Sequence, residues 1–231
     1  MFNTFFRKNR IFSYGLHSAA RKLLAAVFLT ILSTHPAQAE DTFAILAFGD
    51  SLTRGYGLPE DQGLVPQLQN WLLANGGEHI SVINAGLSGD TTAGGLARID
   101  WSLTFDIDAV IVALGGNDML RGIYPASSHQ NLDGIVSILK DRGLPVLLVG
   151  LPAPTNFGVQ FKTEFDAMYG AVALKHETLL YPFFFQGFGV DQSTAAMAPW
   201  MQHDGLHPTA QGVSLIVTDM GPMVLQLARD F

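Results

Sequence analysis

The sequence contains no cysteine in its 231 residues. Disulfide bonds and metal sites built from thiolates are therefore excluded. Charged residues make up only 14% of the chain, whereas hydrophobic residues make up 48%. This balance is typical of a globular domain with a full core and not of a disordered or fibrous chain.

Basic residues are scarce after the first 39 positions. Five of the 13 Lys and Arg residues precede residue 40, whereas all 20 Asp and Glu residues lie at or after it, so residues 40–231 carry a formal charge of −12. Such a surface repels the phosphate backbone of nucleic acids, and no basic stripe with interleaved aromatic residues offsets it. Nucleic acid is therefore not expected as a partner.

Residues 1–39 have the order of features found in a secretory signal peptide. Basic residues come first, followed by the apolar run "LLAAVFLTIL" (23–32), Pro36 and the small-residue motif "AQA" (37–39). This order predicts cleavage after Ala39, secretion to the periplasm and no stable membrane insertion afterwards. The alternative is an N-terminal membrane anchor, for which the apolar run is too short. The predicted organisation is a signal peptide at 1–39 and a single domain at 40–231.

The remainder of the chain alternates between apolar runs and segments with helical spacing. The apolar runs, which are rich in β-branched residues, lie at 43–48, 80–86, 108–116, 145–151 and 179–185. Near-continuous apolar runs are typical of parallel strands that are covered on both faces. A final helix is expected at about 209–228. The pattern predicts an α/β fold, a three-layer α/β/α sandwich around a five-stranded parallel sheet.

Four polar motifs follow these strands or precede the last helix. They are "GDSL" (49–52), "NAGLSGDTT" (84–92), "GGNDML" (115–120) and "HDGLHP" (203–208). In an open parallel sheet, the ligand crevice lies beyond the carboxyl ends of the strands. We therefore expect the four motifs to meet at one edge of the sheet.

The residue types in these motifs suit nucleophilic catalysis by serine. Ser51 offers a hydroxyl that needs a base, and histidine, here His207, is the most common base in such chemistry. Asp204 precedes the histidine by three residues, which in a turn allows it to bond the second ring nitrogen and fix the tautomer. An oxyanion hole could be formed by the backbone N–H groups of Ser51 and Gly89 with the amide of Asn117.

Each motif also has a purely structural interpretation. A serine or aspartate after a strand often caps the next helix, and "GGND" could be a simple turn. The interpretation as a catalytic site depends on four such motifs occurring together, in order, at separate strand ends.

The stretches "FGDSLTRGYG", "INAGLSGDTT", "LGGNDMLRG" and "DGLHPTAQG" resemble the four blocks of the SGNH hydrolase superfamily, also called GDSL esterases. The resemblance is greatest to the bacterial periplasmic branch of thioesterases, lysophospholipases and arylesterases. It implies a flavodoxin-like sandwich that hydrolyses esters or thioesters through an acyl-enzyme, without metal or other cofactor. The block residues correspond to Ser51, Gly89, Asn117 and His207, with Asp204 completing the triad.

Three other interpretations remain open from the sequence. A carbohydrate O-acetylesterase would belong to the same superfamily. A metal site could use His203 with Asp204 and His207, although Gly205 and Pro208 argue against the continuous helix that a His-x-x-x-His site needs. A non-catalytic, flavodoxin-like binding module would lack the serine chemistry altogether.

The substrate is the least constrained part of the prediction. Apolar residues in the loops after the third and fourth strands are expected to line a pocket for an acyl or aryl group of a small-molecule ester or thioester. The predicted pocket residues are Leu120, Tyr124, Phe157 and Phe161. The segment 186–199 has little pattern, and the sequence leaves its role and the size of the substrate open.

Overall fold

The computed structural model describes residues 1–2, 42–103, 106–191 and 193–229. Asp41–Phe231 form one compact unit. Except for its first two residues, the predicted signal peptide lies outside the described residues. No helix within the described ranges combines the length and the apolar character that a membrane span requires.

Five parallel strands form a single sheet in the order β2-β1-β3-β4-β5. The strands are β1 (Phe43–Gly49), β2 (Ile80–Gly86), β3 (Ala109–Ala113), β4 (Val146–Val149) and β5 (Leu179–Tyr181). This order is that of the flavodoxin-like, doubly wound sheet, in which the connection reverses direction next to β1. The predicted five-stranded α/β fold is therefore confirmed.

Eight α-helices connect the strands and complete the described fold. They are α1 (Ser51–Arg54), α2 (Leu64–Ala74), α3 (Thr92–Ser102), α4 (Gly116–Leu120), α5 (Pro125–Asp141), α6 (Val159–His176), α7 (Thr194–Met197) and α8 (Ala210–Arg229). The helix predicted at about 209–228 thus corresponds to α8.

Two separate apolar cores cover the faces of the sheet. Side chains from α2 and α8 fill one core, whereas α3, α5 and α6 supply the other. Successive residues of a strand point to opposite faces, so Ile45 joins the first core while Leu46 and Phe48 join the second. This double coverage explains why the strands read as continuous apolar runs.

The last strand is shorter than predicted. The apolar run suggested a strand over 179–185, but β5 ends at Tyr181. Pro182 has no N–H to donate to a sheet ladder, and the chain leaves the regular ladder there. Only Phe184 bonds back to the neighbouring strand end, donating its N–H to the carbonyl of Gly150 at 2.8 Å.

Candidate active site

Ser51 lies two residues after the end of β1, at the first position of the short helix α1. Gly49, the last residue of β1, allows this sharp turn, because a Cβ there would collide with the Thr53 hydroxyl and lie 2.7 Å from the Ala113 carbonyl oxygen. Asp50 caps α1 by accepting a hydrogen bond from the backbone N–H of Leu52. The serine is thus presented at the carboxyl edge of the sheet.

Asp204 and His207 lie on one loop immediately before α8. The loop is closed by an antiparallel bridge between Met201 and Pro208. The backbone N–H of Gln202 also donates to the carbonyl of His207 at 2.7 Å. This short closed loop, and not a helix, holds the aspartate and the histidine together.

Ser51, His207 and Asp204 form a continuous chain of hydrogen bonds. His207 Nε2 lies 2.8 Å from Ser51 Oγ, and His207 Nδ1 lies 2.7 Å from Asp204 Oδ2. With a proton on Nδ1 donated to the carboxylate, Nε2 is free to accept the proton of the serine hydroxyl. The ring of Tyr56 packs beside the imidazole, with ring centroids 4.7 Å apart.

Asp204 remains ionised over the whole neutral and mildly acidic range. Desolvation raises its pKa, but hydrogen bonds from the His207 ring and from the backbone N–H groups of Leu206 and His207 outweigh it and bring the pKa to about 2. Its Oδ1 accepts both backbone bonds, at 2.9 and 3.0 Å. The carboxylate is therefore a fixed acceptor for the imidazole N–H.

The three predicted oxyanion donors line the same cleft as His207. Gly89 lies in the turn after β2 with φ of +81°, a backbone conformation that favours glycine. Asn117 lies in the first turn of α4, two residues after Gly115, the N-cap of this helix, whose φ is +118°. The structure thus brings together Ser51, Gly89 and Asn117 from three separate strand ends.

Asp50 is buried beside these groups and was not assigned a role from the sequence. It is 3% exposed. Its Oδ1 accepts from Leu52 N at 3.0 Å, and its Oδ2 accepts from Asn117 Nδ2 at 3.3 Å. Burial raises its pKa to about 6, against the lowering influence of the Leu52 N–H, the Asn117 amide and His207, and Asp90 raises the pKa further.

An ionised Asp50 has a thermodynamic cost. Because its folded-state pKa lies above the ordinary value of 3.8, the stabilisation from binding its proton is fully present below that value and is lost as the pH rises through about 6. The shift corresponds to roughly 3 kcal/mol of folding stability that is forgone at neutral pH.

Arg98 ties two strand ends to the loop that carries Gly89. Its guanidinium is buried and donates to the carbonyls of Gly49 and Ala85, at 2.9 and 3.1 Å, and to Asp90 Oδ2 at 2.7 Å. It also lies 3.8 Å above the centre of the Phe48 ring. A single arginine thus fixes the ends of β1 and β2 relative to the turn after β2.

Asp118 performs a similar task between α3 and α4. This fully buried carboxylate accepts from the backbone N–H of Thr92 at 2.8 Å, from the Thr92 hydroxyl at 2.5 Å and from the Ser128 hydroxyl at 2.9 Å. The residue that follows Asn117 therefore anchors the start of α3, the helix that begins just after Gly89.

The cleft above Ser51 has a volume of about 830 Å³. It is lined by residues of α4 and of the loop after β4, and also by residues that follow β5, including Ser193, Thr194, Met197 and Met201. Its apolar lining includes Leu120, Leu151, Phe183, Phe185, Met197 and Met201. A cleft of this size and character suits a small ligand with a substantial apolar part.

Comparison with known proteins places the chain in a family. The model of the GDSL-like lipase/acylhydrolase family matches residues 47–215. The chain belongs to this family. The GDSL-family chain is 38% identical to "Esterase TesA" of Pseudomonas aeruginosa over 206 residues, which are 89% of this chain and 98% of that protein.

Two further relatives support the assignment. "Thioesterase 1/protease 1/lysophospholipase L1" of Escherichia coli K12 is 35% identical over 209 residues, which are 89% of this GDSL-family chain and 93% of the relative. The crystal structure of AlinE4, an SGNH-hydrolase family esterase, has a TM-score of 0.64 and 41% identity, and the match covers 80% of this chain and 96% of that one. The resemblance predicted from the four sequence blocks is confirmed.

Three of the four predicted pocket residues lie outside the cleft lining of this GDSL-family protein. Leu120 lines the cleft. Tyr124 immediately precedes α5 and is 80% exposed. Phe157 and Phe161 instead form an aromatic stack with Phe165, with ring centroids 5.1 and 5.6 Å apart, and this stack continues into the core beneath α6.

His203 is exposed on the loop before α8. Within the part of the chain that the structure describes, no group of three or more His, Asp or Glu side chains is arranged to hold a metal ion.

Several residues of the site were missed from the sequence because their signals are weak. Arg98 is one arginine in a helix of mostly small and apolar residues, and nothing in its spacing points to the strand ends. Met197 and Met201 lie in a segment without regular periodicity, so their position in the cleft depends on how that segment folds against the sheet.

Proposed function

We propose that the protein is a serine hydrolase that cleaves carboxylic esters, and thioesters of similar shape, through an acyl-enzyme. The proposal is carried by one observation, the hydrogen-bonded chain from Ser51 through His207 to Asp204, which lines a largely apolar cleft. Family membership and the relatives named as esterases and a thioesterase support it.

In the proposed first step, Ser51 Oγ attacks the carbonyl carbon of the ester while His207 Nε2 takes the hydroxyl proton. The carbonyl oxygen becomes negatively charged and accepts hydrogen bonds from the Ser51 and Gly89 N–H groups and the Asn117 amide. Collapse of this intermediate breaks the bond to the alcohol, which leaves with the proton held on the imidazole.

In the second step, a water molecule replaces the alcohol. His207 takes one of its protons, the resulting hydroxide adds to the acyl carbon, and the bond to Ser51 Oγ breaks. The proton returns to the serine and the carboxylic acid is released. Asp204 takes no proton in either step and keeps its charge throughout. Its role is to orient the ring and to stabilise the transient imidazolium.

The lining of the cleft favours a substrate that is recognised through an apolar acyl or aryl group. Its walls are dominated by aliphatic, aromatic and methionine side chains. Lys162 also lines the cleft, but its ammonium group is occupied by the carbonyl of Ala153 and by Asp166, each at 2.7 Å. It is therefore not a free cation for an anionic substrate group. Short-to-medium acyl and aryl esters fit this lining, whereas a lysophospholipid would gain from it only through its acyl chain, because Lys162 offers no ion pair to the phosphate.

A panel of nitrophenyl esters from acetate to laurate tests this function and its chain-length preference. Met197→Trp adds bulk to the wall of the cleft, so kcat/KM for the long acyl chains should fall about tenfold or more, whereas acetate should change little. Tyr124→Ala, outside the cleft, serves as the matched control and should leave the profile unchanged. If no ester is hydrolysed, the proposed function fails, and if Met197→Trp affects all esters equally, this wall does not contact the acyl chain.

We also propose that the enzyme is exported and that its mature form begins at Glu40. The support is the order of basic residues, apolar run and "AQA" motif in residues 1–39. N-terminal sequencing of the protein purified from the periplasm of its expression host should start at Glu40. Ala39→Pro, which blocks the expected cleavage position, should leave the longer form. A periplasmic protein that still begins at Met1 would contradict the assignment.

A further inference from the structure

The residue before the nucleophile is a buried carboxylate with two different partners. One oxygen of Asp50 caps α1 through Leu52, and the other accepts from the side-chain amide of Asn117. The start of α4 approaches the second oxygen closely, because a Cβ on Gly116 would lie 3.1 Å from it. The carboxylate is therefore enclosed between the nucleophile turn and the helix that carries Asn117.

The capping bond alone does not require a carboxylate. Asparagine and serine cap helix N-termini about as well as aspartate does, and a neutral residue would avoid the cost of a buried charge. What a carboxylate adds is an acceptor that has no N–H of its own. A group that costs stability and is held next to the nucleophile is expected to serve function.

The partner of this acceptor is a side chain whose orientation matters. The amide of Asn117 is nearly symmetric in shape, with an oxygen at one end and an NH₂ group at the other. If it turned over, its oxygen would replace the donor and would repel a developing oxyanion. An ionised carboxylate accepts only from the NH₂ end, so it selects one of the two orientations and leaves the second N–H of that group available.

We propose that Asp50 is a positioning residue of the oxyanion hole, whose carboxylate holds the Asn117 amide with its NH₂ group directed for transition-state stabilisation. This inference rests on the proposed ester hydrolysis, because the oxyanion exists only in that reaction. It assigns to the aspartate of the "GDSL" motif a role distinct from helix capping and from the proton transfers of Ser51 and His207.

A double-mutant cycle tests the proposal. Asp50→Asn keeps the cap oxygen but presents an NH₂ group to Asn117, so the Asn117 amide should turn over. We expect kcat to fall about 10- to 100-fold with KM nearly unchanged, because the lost interaction exists only in the transition state. Asn117→Ala should lower kcat by about 10²–10³. In the Asn117→Ala background, adding Asp50→Asn should cost almost nothing further, because the group it positions is gone.

Asp166→Asn is the matched control for the cycle. Asp166 also accepts a backbone N–H beside the cleft, from Ala153 at 2.7 Å, but it has no bond to Asn117. Whatever it costs alone, it should cost the same factor in the Asn117→Ala background. Asp50→Ser is a second test variant, since serine keeps the cap but is too short to reach the amide, and it should lower kcat without lowering the melting temperature.

Several outcomes would overturn the inference. They are an Asp50→Asn enzyme with unchanged kcat, an equal loss in both Asn117 backgrounds, or failure of both Asp50 variants to fold, which would make the role structural. Failure of the proposed function has a different signature, because the wild-type protein would then hydrolyse no ester at all. An Asn117→Ala variant that loses kcat while Asp50 variants do not would reject the role of Asp50 alone.

Discussion

Ser51→Ala is expected to abolish ester hydrolysis while leaving the fold intact. The side chain supplies the only hydroxyl bonded to His207 Nε2 in the described structure, and removal of the nucleophile from a serine hydrolase costs on the order of 10⁶ in kcat. Ser51 is half-buried and lines the cleft, so loss of one oxygen there removes little packing. Steady-state kinetics on a nitrophenyl ester, together with a melting curve, measure both effects.

Covalent labelling gives the same prediction an independent readout. A serine-directed phosphonate should add once to the wild-type protein, at Ser51, and not to Ser51→Ala. Because the sequence has no cysteine, no thiol can compete for the reagent. Ser193 also lines the cleft but has no histidine partner among its hydrogen bonds, so Ser193→Ala should be labelled and active like the wild type. Labelling at another serine would show that the nucleophile has been misassigned.

The fold and the central residues of the site were predictable because both depend on short-range patterns. Continuous apolar runs identify parallel strands, and the topology of such a sheet brings the carboxyl ends of the strands to one edge. Ser51, Gly89 and Asn117 each lie within four residues of the end of a strand, so their positions depend on strand ends that the sequence marks with glycine. To predict the position of His207, it was enough to expect that the loop before the last helix returns to that edge.

The substrate cleft was less predictable because its walls depend on how loops pack. Tyr124 and Phe157 were expected in the pocket as apolar residues of loops near the site. Tyr124 instead remains exposed before α5, and Phe157 joins the aromatic stack on α6. Met197 reaches the cleft on a four-residue helix that no periodic pattern in the sequence predicts. An apolar residue in a loop has several burial sites of similar energy, and only the assembled structure selects one.

The roles of the buried polar residues around the site could not be predicted from the sequence, for a related reason. Asp50 and Asp118 stand inside motifs, but their roles depend on partners 26 or more positions away, namely Asn117 and Thr92. Arg98 bonds to Gly49, which is 49 positions away. Local sequence patterns contain no information about such pairs, which exist only because the sheet brings their strand ends together.

His207→Ala is expected to have an effect similar in size to the loss of Ser51. The imidazole is bonded to the serine hydroxyl at 2.8 Å and is the only base in contact with it among the described residues. In a serine hydrolase, loss of this base costs on the order of 10⁶ in kcat. Phosphonate labelling of Ser51 should be lost as well, because the hydroxyl is no longer activated.

Asp204→Asn should be less damaging, with a loss on the order of 10⁴ in kcat, since an orienting residue takes no proton itself. Its carboxylate, with a pKa of about 2, stays charged at every practical assay pH.

The activity of the wild type should nevertheless fall as the pH approaches 6 from above. Asp50, with a pKa of about 6, begins to lose in this range the charge that holds Asn117.

His203→Ala is the control that separates acid–base chemistry from a metal site. His203 lies on the same loop but is exposed, so its removal should leave kcat/KM within about twofold of the wild type, the range of a surface change. If His203→Ala and His207→Ala lost kcat/KM equally and added zinc restored neither, activity would depend on the loop as a whole. His207 would then not be the specific base. If zinc restored activity to chelator-treated wild type, the metal interpretation would replace the serine mechanism. We expect instead that chelation has no effect and that only His207→Ala is inactive.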